Sequence, residues 1–599
     1  MYILGDSMEK SALTLEQKLM RRNKWAYSVG GIGRDMIYQL VATFFIVYIQ
    51  YSGLGLTAAQ FTVIGILLVV GRIWDAINDP FMGSIVENTH SKWGKFRPWI
   101  LIGALLSGVV IIAMFSIRPS GWWYVAFFFI IYLLWEITFT MNDIPYWSLI
   151  PALSRNKKDR DVITSMVVVF AGIGAFAGNA IITFTTVGNA VKGYQIIAIV
   201  FVLFFVLCSC LTAFGVKEPE EDLSEIKEKA TLRKIFRVIK NNDQLQWAAL
   251  ALVFYSIGSG LLTALGYNFL WLEIGYNGLM TTIFIVSFAI SNIVVQSFYA
   301  KLAKRFTRNQ LMLFSFIALA FGYAMMLSIG WVDFLPVNII TACIFGLFVF
   351  GGQSIFYMVV IVNMTNTIEY NEFKTGERNE AIVFSLRPFV AKFSSALQGL
   401  IVTLVLVLSG IYAMSQNVGA LEGELNQFEE MTKTEKIKYI NSISLREDNP
   451  NKNNVVMALS VENYLALPND AAKAAYVQIL KDQVPTFSLS ALDPEELVTL
   501  YEALQDPENA VFSYNNNPDD NIADGWNMEI NQAADSVFSE IADMRMRVSL
   551  RLSITLLPTV LILAAWLLLK KKYIIDEHYY EKINIEINDK KKIGNNQNT

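Results

Sequence analysis

Runs of about 20 apolar residues recur along the chain, and a run of that length is what an α-helix needs to cross a bilayer core about 30 Å thick. Twelve are read from the sequence, at 26–51, 58–86, 98–117, 121–151, 162–187, 193–215, 244–273, 278–301, 309–331, 335–366, 381–414 and 548–570. Composition agrees: 54% of the residues are hydrophobic and only 17% charged, where a soluble domain carries about a quarter charged. Residues 1–25 are polar, and the first run contains Arg34 and Asp35. It is therefore read as a retained span and not as a cleaved signal, whose apolar stretch is short and uncharged.

Several function classes fall away at this stage. A net charge of −4 offers no basis for a nucleic-acid partner. The three cysteines, Cys208, Cys210 and Cys343, all lie inside apolar runs, and the two histidines, His90 and His578, are far apart. A disulfide framework, a zinc site or histidine-based catalysis is not expected from them. No cofactor is expected, and the chain is read as a carrier and not an enzyme.

Basic residues set the expected orientation, because Lys and Arg accumulate on the cytoplasmic side. Loops after even-numbered spans hold Lys92, Lys95 and Arg97, then Arg155, Lys157, Lys158 and Arg160, then Lys301, Lys304, Arg305 and Arg308. Lys18, Arg21, Arg22 and Lys24 precede the first span, and Lys570, Lys571 and Lys572 follow the last. The odd loops hold little beyond Arg118 and Lys192. Both termini are expected in the cytoplasm of a cell whose inner membrane carries the protein. Arg545, Arg547 and Arg551, at the outer end of span twelve, run against this pattern and are outvoted.

The expected fold is therefore all-α: an N-terminal six-helix bundle (1–215), a charged cytoplasmic linker (216–243) and a second bundle built from 244–414 and 548–599. Six spans, a linker and six spans is the layout of the major facilitator architecture, with a substrate site between the halves near the midplane. Residues 415–547, with 23 acidic and 9 basic residues, form an expected extracytoplasmic insertion between spans eleven and twelve. The segment reads as an addition that transport does not require, with substrate capture or docking of an extracytoplasmic partner as the alternatives.

Charges inside the spans carry the functional information. Each costs about 2.5–3.5 kcal/mol at a helix centre, so by default it faces a cavity or a partner. Arg34 and Asp35 lie in span one, Arg72, Asp75 and Asp79 in span two, Glu136 and Asp143 in span four, and Arg387 and Lys392 in span eleven. Asp35, Asp75, Asp143 and Lys392 each fall about 9–11 residues from the inner end of their span, roughly 13–17 Å along the axis. Four spans thus bring charge to one level. Asp75, Asn78 and Asp79 share a helix face, and Glu136, Thr140 and Asp143 share another. Carboxylates with an amide and a hydroxyl are hard oxygen donors suited to Na⁺. The alternative is a structural salt bridge among Arg72, Asp75, Asp79 and Lys392, which leaves more acids than it pairs.

Three segments, RIWDAINDP (72–80), SKWGKFRPW (91–99) and DIPYWSLIP (143–151), resemble the signature segments of glycoside–pentoside–hexuronide:cation symporters. The resemblance covers nearly all the spans and excludes 415–547. It implies a cation (metal) site from Asp75, Asn78, Asp79 and Thr140, and a sugar site from Arg34, Asp35 and Asp143 with Trp147 as a stacking aromatic. It also implies that Lys392 links the two halves electrostatically; Arg72 and Glu136 are read from the buried charges as its partners in coupling. Arg34 stands where the family has Lys, Val168 where it has a sugar-contacting Arg, and Arg387–Pro388 where it has uncharged polar residues. The sugar site therefore differs from the family pattern, and Arg387 points to an acidic or differently hydroxylated substrate.

The expectation is thus a secondary transporter that imports a sugar or glycoside with a cation, Na⁺ first and H⁺ as the alternative. Two readings from other classes are a membrane-anchored sensor whose ligand domain is 415–547 and an intramembrane glycoside hydrolase using paired carboxylates. The sensor would not need charges at one depth, and no product release is expected on incubation with glycosides. Lysolipid carriage by the same architecture is disfavoured by the charged site, which suits hydroxyl-rich cargo.

Overall fold

The computed structural model describes residues 15–153, 157–217, 238–376, 380–416, 418–419 and 542–597. Most of the linker 216–243 and of the insertion 415–547 lies outside these residues. Every regular element among them is helical. In a bilayer that is expected, since a helix satisfies its own backbone hydrogen bonds where no water can.

The first half comprises α1 (Leu15–Ala42), α2 (Phe44–Tyr51), α3 (Ala58–Glu87), α4 (Arg97–Ser116), α5 (Trp122–Leu153), α6 (Lys157–Thr186) and α7 (Ala190–Gly215). The second comprises α8 (Asp243–Glu273), α9 (Gly278–Arg305), α10 (Arg308–Ser328), α11 (Ile339–Thr375), α12 (Glu380–Ser409), α13 (Met544–Ile554) and α14 (Leu556–Lys572). A last helix, α15 (Glu577–Gln597), follows. Among the described residues, eleven spans are long and apolar enough to cross a membrane, or twelve when α1 and α2, bent by 41° at Thr43, count as one. The Thr43 hydroxyl donates to the Gln39 side chain at this bend (2.9 Å). Spans one to twelve are thus α1–α2, α3 to α12 in order, and α13–α14.

Local sequence sets the helix ends. Thr57 and Gln60 form a reciprocal capping box at the start of α3, and Thr307 and Gln310 do the same for α10. Gly376, at φ +78°, ends α11 in the left-handed conformation that glycine adopts without a Cβ penalty. Within each half the helices approach closely at small residues, as in membrane bundles generally. A Cβ on Gly352 of α11 would lie 2.6 Å from the Ser315 carbonyl of α10. Large apolar side chains such as Val109, Phe184, Leu203 and Leu408 are exposed on the outside of the bundle, the surface lipid would cover.

The halves meet along α3 against α12 and α6 against α9. At the end opposite the basic loops they are joined by buried polar and aromatic contacts. The Asn268 side-chain oxygen on α8 accepts from Gln50 Nε2 (2.6 Å) and from the Tyr51 hydroxyl (2.7 Å) on α2. Tyr412 stacks on Phe61 with ring centroids 3.9 Å apart, and its hydroxyl donates to the Leu56 carbonyl. Gln416 donates to the Gln50 carbonyl (2.7 Å).

The same end accounts for the arginines that run against the charge pattern. Arg547 and Arg551 pair with the nearly buried Glu273 of α8, at 3.2 and 2.7 Å. Arg551 also donates to the Leu327 carbonyl and lies over the Trp331 ring (4.7 Å). Arg545 donates to the Leu408 carbonyl. These cations hold α13 against its neighbours, so their position reflects packing.

Helix α15 was not anticipated from the sequence. Asp576 caps it by accepting from the Tyr579 backbone, and Ile583 and Ile587 pack with Ile575 against Tyr370 of α11. Arg308, at the start of α10, fixes its first turn by contacting Glu577 and the Ile575 carbonyl.

Candidate functional site

The charged residues of spans one, two, four and eleven assemble into three linked groups. On α3, one helical turn separates Asp75 from Asp79, and the Lys392 ammonium of α12 reaches both from the opposite half. Lys392 lies 2.8 Å from Asp75 Oδ2 and also contacts Asp79 Oδ2. The Thr140 hydroxyl of α5 donates to the other Asp75 oxygen (3.2 Å). Asp75 is almost fully buried, whereas the side chains of Asp79 and Lys392 are 28% and 25% exposed. Asn78 belongs to the same face, and its amide nitrogen is buried without a hydrogen-bond partner. Two carboxylates of one half therefore share the ammonium of the other, with the Thr140 hydroxyl on the far oxygen of Asp75.

The second group surrounds Arg34 on α1. Its Nε donates to Asp143 Oδ1 (2.7 Å), Nη2 reaches the same oxygen, and Nη1 donates to Asp35 Oδ2 (2.7 Å). The guanidinium is flanked by the rings of Trp147 (5.0 Å), Tyr146 (5.6 Å) and Phe139 (5.8 Å). Tyr146 is locked in place by stacking on Tyr27, and each of the two hydroxyls donates to the other residue's backbone carbonyl. Asp35 and Asp143 remain partly exposed, and Trp147 is 36% exposed. A solute here would meet a cation, two acceptors and an aromatic face together. Such a set can hold hydroxyl groups as donors and acceptors.

The third group is Arg72 with Glu136, 3.4 Å apart and almost wholly buried. Arg72 therefore pairs with Glu136, and among the described residues Lys392 is the cation that pairs with Asp75 and Asp79. Successive turns of α5 thus address different partners: Glu136 meets Arg72, Thr140 meets Asp75 and Asp143 meets Arg34. Arg387 stands apart from these groups, bonded to the Tyr357 hydroxyl of α11 (2.6 Å). Val168 lies exposed on α6 and brings no polar group.

Among the described residues, no group of three or more His, Cys, Asp or Glu is placed to hold a metal ion. The donor set at Asp75 is of a different kind, with oxygens drawn from carboxylates and a hydroxyl. Sequence reasoning did not single out Phe139 and Tyr146 around Arg34. Their positions on α5, beside Thr140 and Trp147, held the available signal.

Residues 26–427 match the family described as MFS/sugar transport protein. The chain is similar to the lactose permease of Lactobacillus delbrueckii subsp. bulgaricus, 30% identical over 416 residues, covering 66% of this chain and 64% of that protein. It is also similar to the raffinose carrier protein of Pediococcus pentosaceus, at 24% identity over 64% of this chain and 62% of that protein. The chain thus spans slightly less than two thirds of the length of these relatives. Among solved structures, a bacterial homolog of the human lysosomal transporter Spinster superposes with a TM-score of 0.51. It covers 94% of this chain and 100% of its own at 11% identity, a likeness of fold alone. With the matching segments carrying the charged residues of spans one, two, four and eleven, the chain belongs to the MFS/sugar transport protein family.

Proposed function

We propose that this protein is a secondary transporter that imports a sugar or glycoside by symport with a monovalent cation, Na⁺ foremost. The observation that carries the reading is the single ammonium of Lys392 serving two carboxylates of the other half. A positive charge between Asp75 and Asp79 is what their proximity demands. A cation held by Asp75, Asp79, Thr140 and Asn78 supplies that charge and releases Lys392, loosening the link between the halves. The coupling is then electrostatic exchange: either Lys392 or the cation neutralises the pair. Arg72 and Glu136 neutralise one another beside it and keep the surroundings at constant charge. H⁺ bound by one of the carboxylates is the alternative coupling ion.

Arg34, Asp35, Asp143 and Trp147 form the proposed sugar site, and Arg387 a secondary contact for an acidic or hydroxylated group. Relatives named as lactose and raffinose carriers favour a glycoside as cargo. The basic loops support a topology with both termini in the cytoplasm and the Asn268 contacts at the outer face. Reciprocal linkage tests the assignment: Na⁺ must tighten sugar binding by the factor by which sugar tightens Na⁺ binding. Titrating the purified protein with each ligand, at zero and saturating amounts of the other, measures both factors. Sugar affinity that is indifferent to both Na⁺ and pH would defeat the symport reading.

Residues 415–547 are proposed to be dispensable for the transport cycle, since lengthening a surface loop costs only about 0.6 kcal/mol per doubling. Replacing 420–541 by a Gly/Ser linker should leave saturating uptake intact. A deletion variant that binds both ligands yet cannot transport would make the segment part of the gate.

A further inference from the structure

Three buried polar atoms without a hydrogen-bond partner among the described residues gather in the first half, at the end joined by Asn268. They are Ser52 Oγ at the C-terminal end of α2, Arg118 Nε in the turn between α4 and α5, and Tyr124 Oη in the first turn of α5. Arg118 Nη2 donates to the Ser52 carbonyl, and the guanidinium is close enough to Tyr48 and Tyr124 to act electrostatically on both phenols. Tyr48 stands beside Ser52 and donates its own hydrogen to the Phe115 carbonyl (3.2 Å). Ser52, Tyr48 and Tyr124 are fully buried. Buried polar groups are almost always hydrogen-bonded, so three orphans in one place mark a ligand site.

Charge singles out the ligand. Arg547 and Arg551, at the same end of the molecule, pair with Glu273, whereas no carboxylate among the described residues pairs with Arg118. The orphans are a guanidinium N–H and two hydroxyls, each of which can donate. A water molecule would meet three donors with two lone pairs and would leave the positive charge unbalanced. A small anion accepts from all three and neutralises the guanidinium through charge-assisted hydrogen bonds, the stronger kind. One guanidinium balances one negative charge, which favours a monovalent ion over sulfate or phosphate.

We propose that Arg118, Tyr124 and Ser52 form a binding site for a small monovalent anion, such as chloride, that stabilises the closed Asn268 end. Ser52 terminates α2, whose Gln50 and Tyr51 side chains donate to Asn268 of the other half. Tyr124 lies near Tyr412 of the other half, which stacks on Phe61 of α3. An anion that fixes Ser52 and Tyr124 therefore steadies both contacts between the halves. The inference depends neither on the sugar nor on the coupling cation.

The test follows thermal unfolding of the full-length purified protein across a choline chloride series, with choline gluconate holding ionic strength constant and with Na⁺ and sugar left out. A ligand of the folded state stabilises it by mass action, so the midpoint should rise saturably with chloride, and likewise with bromide, but not with gluconate. Maleimide labelling of Ala264→Cys, above the rate of the parent chain, should slow at least threefold at saturating chloride. Arg118→Gln should abolish both responses. Tyr124→Phe keeps the ring and the charge and should raise the half-saturating chloride concentration at least threefold, which keeps the test available if the glutamine variant folds poorly. Equal midpoints in chloride and gluconate throughout would mean that water alone serves these groups, and would overturn the site. So would a wild-type chloride response in both variants. A chloride-dependent midpoint with an unchanged labelling rate would overturn the anion's hold on the Asn268 end.

Discussion

Replacing Lys392 by Gln removes the one ammonium shared by Asp75 and Asp79 while keeping most of the side-chain volume. Breaking a buried ion pair by deleting one partner costs about 3–5 kcal/mol. Asp75 is 5% exposed, but Asp79 and Lys392 are each about a quarter exposed, so water screens part of the loss. The expected destabilisation is therefore near the lower bound, about 3 kcal/mol. If the coupling cation occupies the same place, it should restore what the ammonium supplied. A ligand at 100 times its Kd stabilises the folded state by about 2.7 kcal/mol, so saturating Na⁺ should recover most of the deficit. The variant should also bind Na⁺ at least tenfold more tightly, since no ammonium competes, a change worth about 1.4 kcal/mol. Thermal unfolding across a Na⁺ series, with K⁺ or choline replacing Na⁺ at constant ionic strength, reads both effects. Rescue by lower pH and not by Na⁺ would identify H⁺ as the coupling ion. If neither restores stability and Na⁺ affinity is unchanged, the group is a structural bridge and the exchange argument fails.

Asp143→Ala should weaken sugar binding at least tenfold while leaving Na⁺ binding within a few fold, because a hydrogen bond to a charged group contributes about 1.5–3 kcal/mol; wild-type sugar affinity by calorimetry would remove Asp143 from the site. Asn268→Ala deletes the acceptor shared by Gln50 and Tyr51, about 1 kcal/mol for each hydrogen bond. Opening at that end should become at least tenfold more populated, seen as faster maleimide labelling of Ala264→Cys, and an unchanged rate would deny Asn268 a gating role. For Glu577, burial alone would push the carboxyl up, but the Arg308 backbone N–H and guanidinium outweigh it and hold the group below its usual range. A depressed folded value means that docking of α15 is favoured above the ordinary carboxylate range and weakens as pH falls through the depressed value. A fluorophore on α15 should gain mobility over that acidic interval in wild type, and Glu577→Gln should remove the dependence; an unchanged pH response in the variant would refute it.

Much of the fold was legible because lipid imposes a simple length rule. Spans of about 20 apolar residues leave little choice of element, and the charges within them stand out against that background. The common depth of Asp35, Asp75, Asp143 and Lys392 anticipated two meetings, Asp75 with Lys392 and Asp35 with Asp143 about Arg34, and helical spacing placed Asp75 beside Asp79. Spacing could not assign partners. Glu136, Thr140 and Asp143 share a face of α5, yet Glu136 and Thr140 address α3 and Asp143 addresses α1, which depends on how α1, α3 and α5 are rotated. The bend at Thr43 was hidden because apolar residues continue through it. Arg551 read as a topological exception because its acceptor, Glu273, lies 278 residues away in sequence. Helix α15 is polar overall, and its stripe of Ile583 and Ile587 is too narrow to rise above a charged tail.

Uptake of a labelled sugar by proteoliposomes under an imposed Na⁺ gradient tests the account's central claim most directly. The account predicts accumulation above the equilibrium level with an inward Na⁺ gradient, collapse of that accumulation when the gradient is dissipated, and its loss in Asp75→Asn. Equal uptake with and without Na⁺ and H⁺ gradients, or full gradient-driven accumulation in Asp75→Asn, would contradict it.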